Sequence, residues 1–139
     1  MNLLIKTNNV GCKSGWTIYA IGGQVKCLKY IGSYELQDAQ SRCASLGASV
    51  PLPRNGNENE DYRVAFRELS PYWDVALGLN DVATEGVWRD NNGNRATYTN
   101  WWRGRPYDCY NMDYVSMDTD DGTWLDEDAI WERSIVCEY

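Results

Sequence analysis

The spacing of five cysteines, Cys12, Cys27, Cys43, Cys109 and Cys137, constrains this chain more than any other feature. They form no CxxC pair and no zinc-type spacing, which argues against a metal knuckle and for disulfides. Disulfides in a chain of 139 residues point to one compact domain made for an oxidising compartment, and so to secretion. Cys12 and Cys27 flank residues 16–30, an alternating stretch interrupted by Gly22-Gly23 that reads as a hairpin. Pairing them would close that hairpin. Cys43 falls on the inward face of a predicted helix and Cys137 in an alternating final strand, so a bridge between them would close most of the domain. Cys109 is left over. It is either a free thiol or the site of an interchain disulfide that makes a dimer.

The spacing of apolar residues predicts a first helix over Tyr34 to Leu46. Ser33 is its expected N-cap, Gly47 its C′ residue, and Leu36, Ala39, Cys43 and Leu46 its inward face. Asn57-Glu58-Asn59-Glu60 resembles a capping box with asparagine as the cap. The helix that follows should bury Tyr62, Ala65, Phe66 and Leu69 and stop at Pro71. Short strands are expected at Trp73 to Leu79, Val87 to Arg89, Ala96 to Tyr98, Tyr114 to Met117 and Thr123 to Leu125. A last one carries Ile135, Cys137 and Tyr139. The class is α+β. Residues 1–10 read as an N-terminal extension, too short and polar for a signal peptide, and 11–139 as the domain. Between Tyr98 and Tyr114 lies a long polar and aromatic stretch, and loops of that length in compact domains usually carry function.

Composition removes whole classes of activity. The chain has no histidine, so Ser-His-Asp and Cys-His catalysis and histidine metal sites are impossible. Carboxylates such as Asp120 and Asp126 are not placed around a deep cleft by any pattern, so an enzyme is not expected. A net charge of −7 argues against nucleic acid and anionic membranes as partners, and no apolar run reaches the length needed to insert into a bilayer. The acidic turn Asp118-Thr119-Asp120-Asp121-Gly122 fails as a calcium-binding EF-hand loop, because its glycine comes one position early and no glutamate follows at the right distance. It reads as a solvated hairpin turn.

Over Cys12 to Tyr139 the sequence resembles a C-type lectin-like domain. Gly15-Trp16 follows the first cysteine. Ala39 to Cys43 matches the family's first helix, and Pro53, Asn55, Glu58 and Asn59 match the start of its second. Ala76-Leu77-Gly78-Leu79-Asn80-Asp81 stands for its WIGL strand, and Val87-Trp88 with Tyr98-Thr99-Asn100-Trp101 for the next hairpin. Gly122-Thr123-Trp124-Leu125-Asp126 stands for its WND strand. The resemblance implies two helices, two small antiparallel sheets, a long irregular loop and the bridges Cys12–Cys27 and Cys43–Cys137. The family's second disulfide falls at Tyr114 and Ala129 and is absent.

In sugar-binding members a calcium ion is held by two residues flanking a proline, by a glutamate, and by the Asn and Asp of WND. Here those positions fall at Arg105, at Tyr107 or Asp108, near Met112 and Asp113, at Leu125 and at Asp126. Arginine repels a cation and leucine offers it no oxygen, so calcium is not expected there and no cofactor is. The remaining residues still suit a sugar. Tyr107 and Tyr110 offer flat faces, Arg103, Arg105, Asp108, Asn111 and Asp126 offer donors and acceptors, and Pro106 marks the family's sugar-binding proline. Trp101 and Trp124 read as core and Trp102 as surface; Arg103 and Arg105 have Asp108 and Asp113 as available ion partners. The Arg-Pro-(Tyr)-Asp segment with an unpaired cysteine looks more loosely like calcium-independent lectins of bivalve molluscs, which form disulfide-linked dimers and favour N-acetylated sugars. The expectation is therefore a secreted, calcium-independent lectin for GlcNAc- or GalNAc-type sugars, on glycoconjugates or microbial surfaces in innate defence, with a possible dimer through Cys109. The alternative is a protein-, ice- or mineral-binding module of the same fold.

Overall fold

The structure, a computed structural model, describes residues 11–107 and 111–139. Strand β1 (Thr17–Ile21) turns through Gly22-Gly23 into the long β2 (Gln24–Glu35). Both turn glycines have positive φ, which no other residue adopts as cheaply. A 3-10 turn (Leu36–Asp38) leads into the short α1 (Ala39–Ala44), and α2 spans Gly56–Leu69. Then come β3 (Asp74–Asn80), β4 (Arg89–Asp90), β5 (Tyr114–Asp118), β6 (Trp124–Glu127) and β7 (Glu132–Glu138). The strand order is β1-β2-β7-β3-β5-β6, with β4 beside β3. Two antiparallel blocks, β1-β2-β7 and β3-β5-β6, meet through a single parallel pairing of Val75 with Ser134.

Helix α2 packs on one face of this sheet. Tyr62, Ala65 and Phe66 meet Leu28, Val75, Leu77, Val115, Met117, Trp124 and Val136 in the larger core. The other face packs Ala76, Ile135 and Cys137 against Leu36, Ala39, Cys43 and Val50. Four consecutive residues of β7, Ser134 to Cys137, are therefore buried, and the alternation read in the sequence describes only which face each one serves. Both expected disulfides are present, with Cα atoms 5.6 Å apart at Cys12–Cys27 and 5.4 Å apart at Cys43–Cys137.

Four local expectations need correction. The first helix begins at Ala39, not Tyr34, because Ser33, Tyr34 and Glu35 continue β2 and pair with Ser134, Arg133 and Glu132. Ser33 is thus a strand residue and caps nothing, although Gly47 does close the helix with positive φ. The cap of α2 is Asn55 rather than Asn57. Its side chain accepts from the Glu58 amide at 2.9 Å, and the Glu58 carboxylate reaches back to the Arg54 amide, also at 2.9 Å. Asn55→Ala should cost about 1 kcal/mol, the usual worth of such a cap, read as a lower urea midpoint. Finally, the hairpin expected from Val87–Arg89 and Ala96–Tyr98 is reduced to β4 and an isolated bridge between Arg89 and Arg95. Asp90 explains this: its carboxylate accepts from the Asn92 and Asn94 amides and from Arg54, which closes a tight turn in place of a longer ladder.

Candidate functional site

The edge strand β6 organises the recognition region. Trp124 is fully buried, and its indole N–H donates to Asn59 of α2 at 2.8 Å. Asn59 in turn donates to the carbonyl of Gly122 at 3.0 Å. Trp101 packs edge-on against Trp124, with Tyr98 on another side. The Trp102 amide donates to the Trp124 carbonyl, and the Trp124 amide to that of Asn100, each at 2.9 Å. The incoming chain is thus clamped to β6 by its backbone before the irregular loop starts. Trp101 and Trp124 belong to the core region as expected, whereas Trp102 and Tyr107 are about half exposed.

Arg105 sits at the centre. Its Nη1 donates to the Asp126 carbonyl at 2.6 Å and to the Asp126 carboxylate at 3.0 Å. The Asp126 side chain is wholly buried and that of Arg105 is 15% exposed. The other side of the guanidinium lies 3.9 Å from the centre of the Tyr107 ring, a cation–π stack that gives the ring a fixed floor. The intervening Arg105–Pro106 peptide is cis. Asp126, rather than Asp113, is therefore the ion partner of Arg105. Arg103 and Asn111 are exposed at the surface and Pro106 is half-buried. Asp108, Cys109 and Tyr110 lie outside the described residues, as does the 1–10 extension.

A second cluster lies where β3 ends beside β5. One carboxylate oxygen each from Asp81, Glu85 and Asp113 falls within 4.8 Å of the others. Asp81 is only 2% exposed. Its Oδ2 accepts from the Gly86 amide at 2.9 Å, whereas its Oδ1 and the Oδ1 of Asp113 are buried without a hydrogen-bond partner. Two buried acceptors facing one another need a shared proton or a cation between them. Burial pushes the Asp81 carboxyl up to about 7, with Asp113 and Glu85 adding to the shift and the Gly86 amide opposing it. Oxygen-only donors of this kind suit a hard divalent ion. The sequence reading misses the cluster because Asp113 is far along the chain from Asp81 and Glu85; the available signal was the Asp-x-x-x-Glu spacing directly after a strand.

The sign of its pH dependence follows. A carboxyl with a raised folded pKa favours the fold while protonated, so its contribution falls as pH rises from about 4, where the unfolded chain ionises, to about 7. In EDTA the unfolding midpoint of the parent should decline across that window, and Asp81→Asn should flatten the decline. Millimolar Ca²⁺ should restore the parent midpoint at pH 7 and leave Asp81→Asn unchanged. A parent midpoint indifferent to both pH and Ca²⁺ would show that the three carboxylates do not interact.

A family profile described as the lectin C-type domain matches residues 32–139. The chain belongs to the C-type lectin domain family. A tetranectin-like protein of Carcharhinus perezii is 33% identical over 110 residues, which is 78% of this chain and 66% of the relative. The chain thus spans just under two thirds of that protein's length. Among solved structures, the C-type lectin CEL-I from Cucumaria echinata superposes with a TM-score of 0.79 at 21% identity, covering 92% of this chain and 96% of that one. A calcium-independent type II antifreeze protein gives a TM-score of 0.76 at 19% identity, covering 92% and 93%. At these identities the structural likeness establishes the shared C-type lectin fold, which is found in a lectin and an antifreeze protein alike. Arg105 and Asp126, which the sequence resemblance sets at two calcium-ligand positions of sugar-binding members, bond to each other here.

Proposed function

We propose that this C-type lectin-like domain is a secreted carbohydrate-binding module that holds N-acetylated sugars through residues 103–111 without a calcium bridge to the sugar. The observation that carries this reading is the Arg105–Asp126 pair. A guanidinium already supplies positive charge to the buried Asp126 carboxylate, so a metal there would have to displace a bonded cation. The same guanidinium supports Tyr107 from below and leaves a half-exposed ring on which the apolar face of a pyranose or an acetamido methyl group can rest. Arg103, Asp108 and Asn111 are the polar groups assigned to sugar hydroxyls and the acetamido group. Arg105 acts mainly by positioning, since its Nη1 is committed to Asp126. Asp81, Glu85 and Asp113 are the residues that would hold a divalent ion, and such an ion would order the base of the loop rather than touch sugar. Affinity for one sugar ring should be weak. The dimer proposed through Cys109, as in the bivalve lectins the loop resembles, would raise avidity on a glycan-coated surface.

The test is retention on immobilised GlcNAc and GalNAc in Ca²⁺ and in EDTA. Retention in EDTA, released by free N-acetyl sugar and lost in Tyr107→Ala, is the expected result. Retention only in Ca²⁺ would overturn calcium independence. Failure in both buffers would overturn sugar binding and move the reading to a protein, ice or mineral partner.

A further inference from the structure

Asparagine followed by glycine is the dipeptide most prone to spontaneous deamidation, because glycine has no Cβ to keep its nitrogen away from the preceding side chain. The chain contains this dipeptide at Asn55-Gly56 and again at Asn92-Gly93, and the fold treats the two differently. Asn55 is the cap of α2, and Gly56 is the first residue of that helix. The Asn55 side chain accepts from the Glu58 amide at 2.9 Å, so it is turned toward the third residue of the helix rather than the first. Ring closure onto Gly56 would have to break the cap and unwind the first turn. The related pair Asp121-Gly122 is held from both sides. Asp121 accepts from the Thr123 amide at 3.0 Å and from its hydroxyl at 2.7 Å, and the Gly122 amide donates to the Asp118 carbonyl at 2.7 Å.

Asn92 and Gly93 are both exposed. The Asn92 backbone amide donates to the Asp90 carboxylate at 2.9 Å, but its side-chain amide has no hydrogen bond among the described residues. Gly93 has a φ of 86°, and a Cβ placed on it would meet nothing within 4 Å, so no neighbour crowds the turn there. The Gly93 amide donates to the Asp90 carbonyl at 3.0 Å. That bond lies in a turn flanked by the two-residue β4 and the isolated Arg89–Arg95 bridge. An exposed turn with so short a ladder opens readily by local fluctuation, which leaves the Gly93 nitrogen free to lose its proton.

We propose that Asn92 is a spontaneous modification site of the folded chain, while Asn55 in the same dipeptide is protected by its cap. Hydroxide takes the proton of the Gly93 nitrogen, which attacks Cγ of Asn92. The N–Cγ bond forms, the Cγ–Nδ2 bond breaks, and ammonia leaves with a proton from water, which regenerates hydroxide. Water then opens the succinimide at either carbonyl, leaving an aspartyl or an isoaspartyl residue and one more negative charge. The isoaspartyl form carries an extra methylene in the main chain before Gly93. That displaces the Gly93 and Asn94 amides from Asp90, each bonded at 3.0 Å. Asp90 is buried and also binds Arg54, so this form should melt below the parent, whereas the aspartyl form keeps the turn.

The test is peptide mapping by mass spectrometry, with electron-transfer fragmentation to tell isoaspartyl from aspartyl. The full chain is incubated at mildly alkaline pH and 37 °C, native in one arm and reduced in guanidinium chloride in the other. In the native arm Asn92 should convert, and Asn55 at least about five-fold more slowly, the equilibrium worth of one cap. In the denatured arm the two should convert at similar rates. Asn92 intact in the native arm but converted in the denatured one would overturn the proposal, as would no conversion in either arm. Equal native rates at Asn92 and Asn55 would overturn the protection by the cap. Asn92→Gln loses no side-chain partner, so it should fold and keep its melting temperature through the incubation. A parent melting temperature unchanged after conversion to the isoaspartyl form would overturn the effect on the turn.

Discussion

Arg105→Ala is expected to unfold at a urea concentration about 1–2 M below the parent and to lose retention on immobilised N-acetyl sugar. The truncation removes the counter-ion of an Asp126 side chain that is wholly buried. Breaking one partner of a buried pair typically costs about 3–5 kcal/mol, and we expect about 3 because Arg105 itself retains some contact with solvent. It also removes the floor under Tyr107, so the ring loses its fixed orientation. Arg105→Lys should recover part of the stability and little of the binding. An ammonium can neutralise Asp126 but cannot lie flat against an aromatic ring while bonding a carbonyl and a carboxylate. Tyr107→Ala separates the two roles: the ring is half exposed, so its removal should leave stability within about 0.5 kcal/mol while binding is lost. Arg105→Ala with the parent's urea midpoint would mean that the pair contributes nothing to the fold.

Removing the Cys43–Cys137 bridge should have the larger effect on stability. Its cysteines are 94 residues apart, against 15 for Cys12–Cys27. On the chain-entropy model the long loop is worth about 4–5 kcal/mol and the short one about 3. Against a domain stability of about 5–15 kcal/mol, Cys43→Ala/Cys137→Ala should leave the chain largely unfolded at 37 °C, seen as loss of near-ultraviolet circular dichroism. The hairpin variant Cys12→Ala/Cys27→Ala should stay folded with a lower melting temperature. Equal effects of the two would show that the bridge acts through local packing, since both Cys43 and Cys137 are completely buried.

Much of this was legible in residue order, and the failures have physical causes. The inward face of α2 follows from apolar spacing, because burial is what that spacing encodes, whereas the two disulfide pairs and the strand that carries Trp124 are read from the family resemblance. The start of α1 was misread since Ser33 is a good local cap, yet pairing of β2 with β7 outweighed that preference. Asn57 and Asn55 are equivalent caps by type, each with a glutamate three residues on, and the folded chain uses Asn55 with Glu58. Arg105–Asp126 and Asp81–Asp113 are contacts between distant segments of chain. Residue type can say that an arginine is wrong for a cation site, but it takes the folded edge of β6 to show that this arginine bonds Asp126.

The first and last strands of the domain have one more consequence. Cys27 and Tyr139 exchange backbone hydrogen bonds, and the Tyr139 hydroxyl accepts from the Lys13 amide, so residues 13 and 139 meet at the β1-β2-β7 side. Arg105 is fixed to β6 at the far edge of the same sheet. A permuted chain that joins 139 to 11 through a few glycines and opens elsewhere should therefore keep its sheet order. An affinity tag at either position would orient every molecule on a sensor chip the same way, with the Arg105 edge turned toward the flow.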